Sequence, residues 1–146
     1  MLAHGSEILV PSKSDEALSG VFERKILKAF FGPTNNNGEW RTKHNTELYT
    51  LYKESDTVTY IKTNRLKWAG HVIHMKEQSP TRRVLVAVVE GRRQRGRPKL
   101  RVRWEDGVME DARKLGETNW RNGARNRDSW QKLLKKASVQ KGLLCQ

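Results

Sequence analysis

The chain has 146 residues, a formal net charge of +13, 36% hydrophobic residues and a single cysteine. That length allows one modest domain or two small ones. Cys145, standing alone beside the C-terminus, excludes an internal disulfide. No apolar run approaches the roughly 20 residues that a membrane helix requires. The first residues, MLAHGSEILVPSK, have neither the basic start nor the apolar core of a signal peptide, so a nuclear or cytoplasmic location and no membrane partner are expected.

The charge is unevenly spread. Residues 1–64 carry eight basic and eight acidic side chains, residues 65–103 carry twelve and two, and residues 104–146 carry nine and six. A polyanion partner for the middle of the chain is expected from that concentration, more than from a generally basic surface.

In chain order, SEILV at residues 6–10 predicts a short strand, ended by Pro11. Ser12 or Ser14 then caps a helix. Leu18, Phe22, Ile26 and Phe30 recur every four residues with Val21 and Ala29 beside them, which predicts an amphipathic helix whose apolar face meets a core. Gly32-Pro33 stops it, and TNNNGEW is turn chemistry. Asn45 is expected to cap a second helix through Leu48, Leu51 and Tyr52. Asp56 is expected to cap a third over TVTYIKTNRLKWAGHVIHM, with Val58, Ile61, Leu66, Ala69, Val72 and Ile73 on one broad apolar side and Trp68 on its border.

Ser79-Pro80 reads as a cap followed by Pro at the first helical position. In RRVLVAVVE the valines favour a strand and the cap favours a helix, and the helix is preferred. Residues 91–103, with two glycines and a proline, are expected to be irregular and exposed. A helix resumes at Trp104, with Val108, Ala112 and Leu115 on its face and Gly116 as its stop. Asn119 is expected to cap a short helix carrying Trp120 and Ala124, and Asp128 a last one carrying Trp130, Leu133 and Leu134. The five tryptophans, Trp40 included, read as helix anchors. The fold class is therefore mostly α: small helical parts joined by an exposed basic loop, with one short N-terminal strand.

GRRQRGRPKLRVRW, residues 91–104, carries the candidate site. Arg92, Arg93, Arg95, Arg97, Lys99, Arg101 and Arg103 are expected to neutralise phosphates of RNA or DNA, and Lys67, Arg82 and Arg83 to extend that surface. Arg95-Gly96-Arg97-Pro98 is also the core of an AT-hook, a peptide that inserts arginine into a narrow A·T minor groove, and this alternative stays open. Trp104 is expected to pack in preference to stacking on a base. Glu105-Asp106 and Glu110-Asp111 read as complements to a helix dipole and partners for adjacent arginines rather than as metal ligands. His71 and His74 stand at i, i+3, but the further ligands of a structural zinc site are not in place. No nucleophile turn is present. No cofactor, metal or catalytic residue is expected.

Five phrases also come in a familiar order: SGVFERKILKAFFGP, NGEWR, LYTLYKESDTVTYIKTNRLKWAGHVIHM, GRRQRGRPKLRVRWEDGVMEDARKLG and NWRNGARNRDSWQKLL. Together they resemble the C-terminal region of reverse transcriptases from animal non-LTR (LINE-type) retrotransposons that carry an apurinic-type endonuclease. The resemblance covers nearly the whole chain, and the FERKIL–GP, RLKWAGHV and GRP–RW elements are its most specific parts. It implies that Phe22 to Pro33 form a thumb-side helix and that the rest is the linker and basic tail that hold template RNA or target DNA. On this view residues 1–55 are a thumb-end remnant, residues 56–146 are the helical basic tail, and the polymerase body is a further partner. The family's tyrosine-X-aspartate-aspartate turn, which helps hold two catalytic metals, does not occur here. The resemblance therefore implies a fragment that neither polymerises nor cuts. A protein-interaction module or a non-functional relic of the element are the other readings.

Overall fold

Residues 5–86 and 103–139 are described by the computed structural model. Among them seven α-helices and one two-stranded sheet build a mostly helical fold. None of those helices is long and apolar enough to cross a membrane.

The chain begins with a 3-10 turn at Ser6–Ile8, where a strand is expected from SEILV. Among the described residues these three consecutive apolar residues have no neighbouring strand to pair with. Instead the turn lies against α3, and the Glu7 carbonyl accepts from Trp104 Nε1 at 2.9 Å. Helix α1 spans Lys13–Phe31. Ser12 caps it reciprocally: Ser12 Oγ accepts from the Asp15 backbone N–H at 3.2 Å, and Asp15 Oδ2 accepts from the Ser12 backbone N–H at 2.9 Å. Gly32, at φ 62°, ends the helix in a conformation a side chain disfavours. Lys43 Nζ donates to the carbonyls of Phe31, Gly32 and Pro33 at 3.1–3.2 Å, placing a cation on the negative end of the helix.

The face that α1 buries is not the expected one. Leu18, Val21, Phe22, Ile26 and Phe30 are 48–81% exposed, while Glu23 and Leu27 are buried. The polar side turns inward because α3 supplies partners for it. Glu16 Oε2 meets Lys62 Nζ at 2.9 Å, and Glu23 Oε1 accepts from the Thr57 backbone N–H at 3.1 Å. Burying Lys62 without such a carboxylate is too costly.

TNNNGEW is more than a turn. Strands β1 (Thr34–Asn36) and β2 (Glu39–Arg41) pair antiparallel, with Asn35 opposite Trp40. Asn37 and Gly38 both have positive φ, at 53° and 94°, as a two-residue hairpin turn demands. Trp40 is 71% exposed on this hairpin and anchors no helix. Helix α2 (Asn45–Tyr52) starts one residue earlier than expected: His44 is the cap, and its backbone N–H donates to Glu47 Oε2 at 2.8 Å.

Helix α3 (Thr57–His74) is capped by Asp56, whose Oδ1 accepts from the Thr59 backbone N–H at 2.7 Å. It is the central element, touching the N-terminal turn, α1 and the four later helices. Val58, Leu66, Ala69 and Val72 of its expected apolar side are buried, with Ile61 and Ile73 partly so. Helix α4 (Pro80–Val86) is helical as preferred, and residues 87–90 of the same stretch lie outside the described residues. Helix α5 (Trp104–Lys114) buries Val108 and Ala112, with Leu115 buried just after it, and Gly116 at φ 94° ends it as expected.

Asn119 caps α6 (Trp120–Arg125), with Oδ1 accepting from the Asn122 backbone N–H at 3.2 Å. Helix α7 (Arg127–Val139) is capped by Asn126 and not by Asp128: Asn126 Oδ1 accepts from the backbone N–H of Asp128 and Ser129 at 3.1 and 3.2 Å.

The core gathers Leu66 and Ala69 of α3, Val108 and Ala112 of α5, Leu115, Trp120 and Ala124 of α6, and Trp130 and Ala137 of α7. Trp120 and Trp104 meet edge to face, with centroids 6.5 Å apart. Trp130 Nε1 donates to the Leu66 carbonyl at 3.1 Å, above Gly70, where a Cβ would stand 2.5 Å from the indole nitrogen. Glycine there lets the indole lie on the α3 backbone. One buried ion pair locks the assembly. Arg65 Nε and Nη2 both donate to Asp111 Oδ2, the first at 2.9 Å, and Arg65 Nη1 donates to the Leu9 carbonyl at 2.8 Å. Burial pushes the Asp111 carboxyl up from its ordinary value, against the pull of the guanidinium. Of the acids of α5, Asp111 and Glu105 pair with the distant Arg65 of α3 and Arg121 of α6, Glu110 pairs with Lys114 of its own helix, and Asp106 accepts from the Arg103 backbone N–H.

Candidate nucleic-acid interface

Arg92, Arg93, Arg95, Arg97, Lys99 and Arg101 lie outside the described residues, as do Gly96 and Pro98 of the hook alternative. Four of the expected site residues are described. Arg103 is exposed at the start of α5, where its backbone N–H donates to Asp106 Oδ2 at 3.2 Å. Lys67 is exposed on α3 and Arg83 on α4. Arg82 is partly buried on α4, its Nη1 donating to the Met75 carbonyl at 2.7 Å, and its Nη2 stands 3.7 Å from Glu77 Oε1.

Arg82 keeps other company than the expected set. Together with Ile73, His74, Arg121 and Arg125 it lines a pocket of about 240 Å³ between the end of α3, α4 and α6. Lys67 and Arg83 do not line it. Arg121 and Arg125 belong to no expected site, yet NWRNGARNR holds a signal for them: spacing i, i+4 on a helix whose Trp120 and Ala124 face the core turns both arginines outward together. That they meet Arg82 and His74 is decided by α6 packing on α3.

The electrostatics of the three arginines differ. Arg121 Nη2 is paired with Glu105 Oε1 of α5, and the Arg121 guanidinium stands 5.9 Å from the Trp120 ring centroid. Arg82 is held by a carbonyl and faces Glu77 only across a solvent-exposed gap, where an ion pair contributes little. Arg125 is exposed, and its guanidinium has no hydrogen bond or ion pair among the described residues. Lys67, His71 and His74 stand at i, i+4 and i+7 on α3, all exposed, which carries the basic surface back along that helix. His71 lies beside Trp68, ring centroids 5.3 Å apart.

Such a surface offers guanidinium donors to anions. A second depression of about 220 Å³, lined in part by Gly116, Glu117, Trp130, Leu133 and Lys136, mixes both charges with apolar wall. Among the described residues no three His, Cys, Asp or Glu side chains come together as a metal-holding group. No protein-family model, curated protein or solved structure matches this chain.

Proposed function

We propose that the chain binds RNA or DNA through the phosphate backbone, as the C-terminal part of a non-LTR retrotransposon reverse transcriptase without catalytic residues of its own. The observation that carries the binding is the charge distribution: twelve basic against two acidic side chains in residues 65–103, beside an N-terminal portion of zero net charge. A segment with that excess gains free energy by releasing counterions from a polyanion. The basic residues of α3, α4 and α6 support the same reading, because they continue the excess on both sides of residues 87–102. With four to six phosphates engaged, log K against log salt on duplex DNA slopes at roughly −3.6 to −5.4. Fluorescence anisotropy across a salt series tests this, and a slope near zero refutes phosphate binding.

A second reading, a protein-interaction module, is favoured by one observation: the apolar side of α1 is uncovered from Leu18 to Phe30. Contiguous apolar surface on one helix face is a recurrent feature of protein contacts. The two readings are compatible, since the face lies in the part of the chain with zero net charge.

A further inference from the structure

We propose that the pocket between Arg82, Arg121 and Arg125 seats one phosphate group of the bound nucleic acid, a fixed anchor beside the basic segment. This rests on the nucleic-acid reading above and adds to it a defined site outside residues 91–103.

Four features of the pocket converge. Its polar lining residues are His74, Arg82, Arg121 and Arg125, all bases, with Ile73 as the apolar wall and no acid lining it. At about 240 Å³ it is smaller than the roughly 300–1,000 Å³ pockets that hold drug-sized ligands. A single phosphate group fits within that volume, and the lining arginines suit its charge. Two of the guanidiniums are held in place, Arg82 by the Met75 carbonyl and Arg121 by Glu105 and the Trp120 ring. A guanidinium has five N–H donors, so each keeps several to offer, and Arg125 keeps all of its own. Finally, α4 leads into residues 87–102 and α5 follows them, so the pocket shares Arg82 and the Glu105 brace with the two helices that bracket the basic segment.

The opposing terms set the strength. The carbonyl end of α3 brings a partial negative charge to the pocket, and Arg82 on the Met75 carbonyl covers part of it. Glu105 offsets Arg121, and Glu77 weakly offsets Arg82. What remains suits a single phosphate held by charge-assisted hydrogen bonds, while the basic segment supplies most of the affinity. An end monoester presents three non-bridging oxygens and an internal diester two, and either set accepts from guanidinium donors.

The test uses the full chain and a labelled single-stranded DNA oligonucleotide, with and without a 5′-monophosphate, read by anisotropy over a salt series. Arg125→Gln removes the unpaired guanidinium from an exposed position. Lys25→Gln makes the same charge change on exposed α1 and is the control. Arg125→Gln is expected to weaken binding about tenfold, as loss of a charge-assisted hydrogen bond does, and to reduce the salt slope by about 1. Lys25→Gln is expected to change affinity less than about twofold, because the screening length is about 8 Å at physiological salt. Arg82→Gln, with folding checked by circular dichroism, is expected to follow Arg125→Gln. If the 5′-monophosphate raises affinity in the wild type but not in Arg125→Gln, the seat takes strand ends. If it raises neither while Arg125→Gln still loses tenfold, the seat takes an internal phosphate. Equal effects of Arg125→Gln and Lys25→Gln overturn the pocket alone. Absence of salt-dependent binding in the wild type overturns the nucleic-acid reading and the pocket with it.

Discussion

Replacing Arg65 with methionine keeps most of the side-chain volume and removes the charge that faces Asp111. Both residues are 2% exposed. Arg65 Nε and Nη2 converge on the single oxygen Asp111 Oδ2, so the substitution strands a carboxylate in the interior between α3 and α5. Removing one partner of a buried pair costs about 3–5 kcal/mol. The Leu9 carbonyl also loses its bond from Arg65 Nη1, which adds to that cost. At about 2–4 °C per kcal/mol for a chain of this size, the melting temperature is expected to fall by roughly 6–20 °C. The double variant Arg65→Met/Asp111→Leu removes both charges. Because the desolvation of a buried pair offsets much of its attraction, it is expected to recover most of that loss. Thermal melts followed by circular dichroism measure all the corners of the cycle. A double variant that melts as low as Arg65→Met, or a single variant within about 3 °C of the wild type, refutes the reasoning that the pair is desolvated and mutually compensated.

The exposure of α1 makes Ile26→Ala a surface change within about 0.5 kcal/mol, whereas Leu27→Ala on the buried side is expected to cost about 2–5 kcal/mol; equal melting shifts would contradict the orientation of α1. Gly70→Ala forces a Cβ against the Trp130 indole and is expected to cost about 1–3 kcal/mol by overpacking, seen as a lower melting temperature with a red-shifted tryptophan emission. Hydrogen bonding from the Arg41 guanidinium and from the His44 backbone N–H holds the Glu47 carboxyl down to about 2. A depressed acid contributes stability that is present above the ordinary carboxylate range and lost as pH falls toward that value. Carboxyl NMR is expected to show the low midpoint, and Arg41→Gln to raise it toward the ordinary value; an unmoved midpoint refutes the pairing. For the basic segment, Gly96→Ala is expected to change affinity less than about threefold on any duplex. A tenfold loss confined to A·T-rich duplex would establish residues 95–98 as a minor-groove hook.

Local chemistry determined much of the secondary structure. Ser12 and Asp15, Asp56 and Thr59, and Asn119 and Asn122 are neighbours in the chain, so their caps are legible without any partner element. The apolar sides of α3 and α5 were legible for a related reason: their period-matched residues outnumber any rival face. The concentration of basic residues in 65–103 was likewise plain, since it needs only counting.

Tertiary structure decided what periodicity could not. The most regular apolar stripe, Leu18 to Phe30, faces outward, because α3 carries Lys62 and the free Thr57 backbone N–H, and these need Glu16 and Glu23 more than α1 needs to bury its phenylalanines. Asp111 reads from sequence as a helix-dipole acid and becomes a buried partner only because Arg65, 46 residues earlier, is packed against it. The pocket has the same origin. His74 and Arg82 are neighbours across a short connection, but Arg121 and Arg125 reach them only when α6 docks on α3. Charge follows from the chain alone, whereas the gathering of Arg82, Arg121 and Arg125 around one pocket depends on the packing of helices distant in sequence.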